Sequence, residues 1–154
     1  MRLLSPAFEN GGMIPSQYTC DGADKSVPLI FHNVPSEAKS LALVMDDPDA
    51  PMGVFVHWVI YDIPSALQGL PEGVPHVPEL EYGIKQGFND FGKIGYGGPC
   101  PPKGAHRYFF KLYALSADLA LDPGLTKAQL LQLIAPYVIE EAVLMGIYER
   151  QVIH

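Results

Sequence analysis

Prolines and glycines limit what this chain can fold into. There are fifteen of each, scattered without a period through 154 residues. A polymer so often interrupted cannot support long helices, and it suits short strands joined by turns and ordered loops. The uninterrupted stretches have the composition of strands. Pro28–Asn33 is short and apolar, while Ser40–Asp46 and Val54–Ile63 are rich in β-branched, aliphatic and aromatic residues and both run into proline-containing turns. Tyr108–Ser116 alternates like a half-buried strand, and Ala142–Arg150 reads as a closing strand. One helix is expected near Thr126. Thr126-Lys127-Ala128-Gln129 has the capping-box pattern, Leu130, Leu131, Leu133 and Ile134 supply an apolar face, and Pro136 ends or bends the helix. Many strands and one late helix predict a mostly β fold, an antiparallel β-sandwich of Greek-key kind with few peripheral helices. At this length residues 1–154 are expected to form a single domain.

The formal net charge is −7, with no basic face beyond the neighbours Lys103 and Arg107. That argues against nucleic acid and against docking on anionic lipid. No apolar run reaches spanning length, so no stable membrane insertion is expected and a cytoplasmic location is the default. In that compartment Cys20 and Cys100 are expected to be free thiols, with a bridge between them as the alternative.

Three clusters carry chemistry. Asp46-Asp47-Pro48-Asp49-Ala50-Pro51 sets three carboxylates on a backbone stiffened by two prolines. An ordinary turn explains the composition too, and the spacing is not that of a calcium loop. His57 lies inside a predicted strand, where alternation puts it on a face with Phe55 and Val59, and puts Trp58 on the other with Val56 and Ile60. A lone strand histidine is more often structural than functional. The third cluster runs from Gly95 to Tyr108, a glycine- and proline-rich wall that delivers His106 and Tyr108 at its rim. The long loop-rich stretch between Ile63 and Tyr108 is expected to be ordered and functional, given Phe88, Phe91 and Tyr96. His32, His76 and His154 read as incidental. No Gly-x-Ser-x-Gly elbow is present, and Cys100 between prolines has no signature of an activated thiolate. His57, His106 and one aspartate would suffice for a facial iron site, but no His-x-Asp/Glu pair accompanies them, so no metal and no cofactor is expected.

Taken in order, the segments IPSQYTCDG, DDPDAP, FVHWVIYDIP, QGFNDFG, GYGGPCPPKGAHRYFFKLYAL and LMGIYER resemble the phosphatidylethanolamine-binding and Raf-kinase-inhibitor-like family, its bacterial or archaeal branch in particular. The resemblance implies a small-anion pocket at Asp47, Asp49, His57, Pro101, Pro102, His106 and Tyr108, and a cis Ala50–Pro51 bond. It also implies a non-enzymatic module that takes a phosphorylated or carboxylate anion and regulates a partner such as a kinase. The alternatives are a serine protease inhibitor, with PEGVPHVPEL as its exposed loop, and a phosphoester hydrolase using His106 as general acid. A homodimer is one option for its assembly. Two carboxylates beside an anion make sense if Asp47 and Asp49 orient the imidazoles and so raise the pKa of His57 and His106.

Overall fold

The computed structural model describes residues 1–151; His154 lies outside them. Eight strands are present: β1 (Arg2–Leu4), β2 (Leu29–His32), β3 (Ser40–Asp47), β4 (Phe55–Pro64), β5 (Gly69–Leu70), β6 (Lys85–Gln86), β7 (His106–Leu115) and β8 (Val138–Tyr148). They make two antiparallel sheets, a small one ordered β1-β2-β5 and a large one ordered β6-β4-β3-β7-β8. Leu3, Leu29, Phe31 and Leu70 of the small sheet pack with Leu41, Leu43, Trp58, Ile60, Phe110 and Leu112 of the large one in a single core, so the expected sandwich forms. On the other face of the large sheet a second core joins Ala42, Val44, Val59 and Tyr61 to Leu130 and Ile134 of the helix α1 (Lys127–Ile134).

The capping box forms as the local sequence predicts. The Thr126 hydroxyl accepts from the Gln129 amide at 3.2 Å, and the Gln129 side chain accepts from the Thr126 amide at 3.0 Å. Pro136 sits in a short 3-10 turn that ends the helix. The closing strand begins at Val138, four residues before the expected Ala142, because pairing with β7 carries the acidic pair Glu140-Glu141 into the ladder. The three-residue β1 and the two-residue β5 and β6 were too short to leave a pattern in the sequence.

The central strand β3 is buried along its whole length, with β4 on one side and β7 on the other. Its alternation sends Leu41, Leu43 and Met45 into the sandwich core, and Ala42 and Val44 toward the helix. This separates the adjacent acids at the strand's end. Asp46 faces the helix side, where it accepts from Lys127 Nζ at 2.6 Å and lies 3.7 Å from Lys111 Nζ. Asp47 faces the opposite way.

The loop-rich stretch from residue 71 to residue 105 is ordered around two buried amides. Gln86 is fully buried; its Oε1 accepts from Trp58 Nε1 at 2.8 Å, and its Nε2 donates to the carbonyls of Pro75 and Val77 at 2.7 and 2.9 Å. Asn89 donates to the Gly95 carbonyl and accepts from the amides of Phe91 and Lys93, which shapes the turn carrying Phe91. The loop's far end is joined to residues 18–24. Tyr96 Oη donates to the Tyr18 carbonyl at 2.7 Å, Cys20 N to the Pro99 carbonyl at 3.1 Å, and Gly98 N to Asp24 Oδ1 at 2.9 Å. Gly98 is required there: a Cβ would stand 2.2 Å from the Asp24 oxygen and 2.4 Å from the Tyr18 carbonyl.

Two expectations are corrected at this loop. Cys20 and Cys100 are bridged, with Cα atoms 5.4 Å apart, because the same contacts bring the two segments together. Ala50–Pro51 is trans, as is every peptide bond among the described residues, so proline stiffens this corner through its fixed φ alone.

Gln86→Leu should cost on the order of 3 kcal/mol, since it leaves the buried Trp58 N–H and two part-buried carbonyls without their partner. Chemical denaturation of both proteins, with matched m-values, measures the loss.

Candidate functional site

The three central strands end together at one edge of the large sheet, and the sequence-predicted residues gather there. Asp47 is the last residue of β3, His57 lies near the start of β4, and His106 and Tyr108 open β7. A cavity of about 210 Å³ opens between them, lined by Asp47, His57, Pro101, Pro102, His106 and Tyr108. Phe55, Phe91, Ala50, Pro51 and Cys100 complete its wall. Asp49 alone of the predicted set stays outside. It accepts from the backbone amide, Nε and Nη2 of Arg107, each at 2.9 Å, and so clamps the proline corner to β7.

His57 reaches the cavity through a break in strand alternation. Along β3 and β4, Met45 pairs with Trp58 and Asp46 pairs with Val56, so His57 is an extra residue with no partner opposite it. Such a bulge turns two successive side chains to one face. Trp58 and His57 therefore both point to the sandwich side, while Val56 joins Val59 in the helix-side core. Strict alternation had paired Val56 with Trp58 and His57 with Val59; the bulge corrects both. It also brings the His57 ring to 5.2 Å from that of Tyr108 and 5.0 Å from that of Phe55. Phe91 stands edge-on at 5.5 Å, its ring packed over Gly97, where a Cβ would come within 2.4 Å of it.

The two imidazoles are held differently. His106 Nδ1 lies 2.6 Å from Asp47 Oδ2, while Asp47 Oδ1 accepts from the Asp49 amide at 2.7 Å, so both oxygens of this carboxylate are engaged within the fold. His57 Nδ1 lies 2.6 Å from the Gly97 carbonyl. A carbonyl only accepts, so that nitrogen carries the hydrogen. The recorded hydrogen bonds of both rings are made through Nδ1, and both rings line the cavity. The Tyr108 hydroxyl is the one buried side-chain polar atom without a hydrogen bond among the described residues.

Burial pushes the His57 pKa below its ordinary value. The Gly97 carbonyl and the charges of Asp47 and Asp24 oppose the shift without reversing it. The expectation that carboxylates raise it is therefore overturned: aromatic walls on three sides outweigh them. Burial also drives the Tyr108 hydroxyl up, reinforced by Asp47 and Asp49, so it remains a donor at neutral pH.

These surroundings were not apparent in the sequence. Phe91 is one of the aromatics that favour an ordered, functional loop and Phe55 shares a face with His57, but neither reading places them in a cavity wall. His76, read as incidental, lines a second cavity of about 600 Å³ that shares Phe91 and Cys100 with the first. Its Nε2 lies 3.1 Å from the Tyr96 carbonyl.

The model of the phosphatidylethanolamine-binding protein family matches residues 4–149. The chain belongs to that family. It is similar to UPF0098 proteins of Methanothermobacter thermautotrophicus (53% identical, over 97% of this chain and 99% of that one) and Aquifex aeolicus (50%, over 97% and 89%). Among solved structures it is similar to a phosphatidylethanolamine-binding protein homologue from Chlamydia trachomatis, at TM-score 0.91 and 42% identity over 97% of both chains. It is also similar to YbcL of Escherichia coli, described as a new member of the mammalian PEBP family, at TM-score 0.89 and 31% identity over 97% and 98%. The branch expected from the sequence, bacterial or archaeal, agrees with these relatives. Family membership supports a ligand-binding module with this sandwich as its frame.

Arg107 holds the Asp49 carboxyl well below its usual range, at about 2. A depressed carboxyl stabilises the fold above its unfolded pKa of about 3.9 and loses that contribution as pH falls toward the folded value. The stability gap between wild type and Asp49→Asn should therefore close between about pH 4 and pH 2. The gap is expected to be small, because Arg107 is half exposed and water screens the pair. Urea midpoints measured across that range check it.

Proposed function

We propose that the cavity under Tyr108 captures a small phosphorylated anion, inorganic phosphate or a phosphoryl head group, without turning it over. The observation that carries this reading is the convergence of a buried, unpaired Tyr108 hydroxyl with the imidazoles of His57 and His106 on about 210 Å³ of otherwise apolar space. Buried polar groups left unpaired are costly and mark the place where a ligand supplies the partner. The volume suits a head group and leaves no room for two acyl chains, so phospholipid carriage does not follow from the family's name.

The thiol and the carboxylates nearest the cavity are already committed elsewhere. Cys100 is bridged, both Asp47 oxygens are engaged, and Asp49 is clamped on Arg107. Binding without chemistry suits a module whose occupied state is read by a partner protein, and a kinase, whose own substrates and products are phosphorylated, is the partner class proposed. A cytoplasmic setting would have to be one that spares the Cys20–Cys100 bridge, since cytosolic thiols are mostly kept reduced. Among the described residues no helix is long and apolar enough to cross a membrane.

Calorimetric titration with phosphate and phosphoethanolamine tests the site. Wild type should bind both, and His106→Ala should lose detectable binding while still unfolding cooperatively. Phosphomonoesters incubated with the wild type should release no phosphate. A folded His106→Ala protein that binds as before removes His106 from the site, and steady phosphate release makes the protein an enzyme.

A further inference from the structure

The two histidines that open on the cavity differ in what they offer a ligand, and the difference specifies the ligand's protonation state. This inference rests on reading the cavity as an anion site. His106 has a carboxylate at Nδ1. With an anion at its Nε2 the ring lies between two hydrogen-bond acceptors, the Asp47 carboxylate and the ligand, and donates to both. His57 has a neutral carbonyl at Nδ1 and rings of Phe55, Phe91 and Tyr108 around it. Its hydrogen is fixed on Nδ1, so in the neutral form its Nε2 presents a lone pair to the cavity. The cavity thus offers two donors, His106 Nε2–H and Tyr108 Oη–H, and one acceptor.

We propose that the pocket selects its anion by protonation state, taking a group that carries an acidic hydrogen of its own, the monoanionic hydrogen-phosphate form of phosphate or a phosphomonoester, over sulfate, which carries none. The phosphate hydroxyl donates to His57 Nε2, while its charged oxygens accept from His106 and Tyr108. Sulfate would set an oxygen lone pair against the His57 lone pair. It can bind well only if His57 first takes up a proton, in a place where burial disfavours the charge. The charged and titratable groups around this ring are Asp47 on β3, His106 and Tyr108 on β7, and Asp24 behind the Gly97–Gly98 wall. Arg107 and Asp49 neutralise each other outside the cavity.

Both anions then bind more weakly as pH rises, but for different reasons. Phosphomonoesters lose their second proton near pH 6, so affinity should weaken as pH rises through that value. Sulfate affinity should grow only as pH falls below the ordinary histidine value of about 6.5 and His57 becomes charged.

The test is calorimetry of the full chain with inorganic phosphate, phosphoethanolamine and sulfate from about pH 5 to pH 8. Near pH 6.5 both phosphates should bind at least about tenfold more tightly than sulfate, because an unmatched polar contact in a buried site is strongly disfavoured. Whichever phosphate binds more tightly tells a head group from the free ion. His57→Gln, whose amide can turn an N–H to the anion, should bring sulfate to within about threefold of phosphate. Sulfate matching phosphate in the wild type near pH 6.5 overturns the inference and leaves the anion site standing. No binding of any of the three defeats the anion reading and the inference with it. If His57→Gln does not fold, the wild-type pH series decides alone: sulfate affinity that stays flat on acidification refutes the role given to His57.

Discussion

The burial of β3 on both faces is the constraint on which the site depends. A strand hydrogen-bonded on both edges and covered on both sides has no freedom to shift register, because a one-residue slip would exchange its core face for its helix face. That rigidity settles which of two consecutive aspartates looks into the sandwich. Asp46 goes to Lys127 and the helix, and Asp47 goes to His106. The histidine on β7 is thus aimed from the neighbouring strand, and the proline corner clamped by Asp49 and Arg107 keeps the aim from drifting.

Set against that frame, the bulge at His57 is the single irregularity the site needs. Without it, alternation would turn the imidazole toward the helix-side core, and the cavity would keep one histidine instead of two. The resulting pair is unequal in its supports, a carboxylate for His106 and a carbonyl for His57. Two chemically identical side chains thereby acquire different electrostatic characters without any further residue being spent on the difference.

Much of this was readable before any coordinates, and what was missed has a physical pattern. The Thr126–Gln129 cap, the Pro136 stop and the long apolar strands depend on neighbours in sequence, so local chemistry predicted them. Asp47, His57, Pro101, Pro102, His106 and Tyr108 were named from motif and resemblance, and they meet around one cavity. Asp49 was named with them, but its role is decided by Arg107, which no spacing rule connects to it. The bulge was invisible because alternation assumes a period of two, and only the pairing with β3 shows where it fails. Gln86 and Asn89 stood within the QGFNDFG segment with no role assigned to either. Their importance appears only when carbonyls distant in the chain come within reach.

The contacts between residues 18–24 and residues 96–100 also bear on what the sulfur bridge adds to the cavity wall. Closing an 80-residue span between Cys20 and Cys100 requires the thiols to find each other. Here the hydrogen bonds from Tyr96, Cys20 and Gly98 already hold the two segments side by side. The bridge therefore crosses a seam that polar contacts also hold. The cavity wall owes its shape to the polar contacts, and the sulfur bridge makes that shape hard to undo.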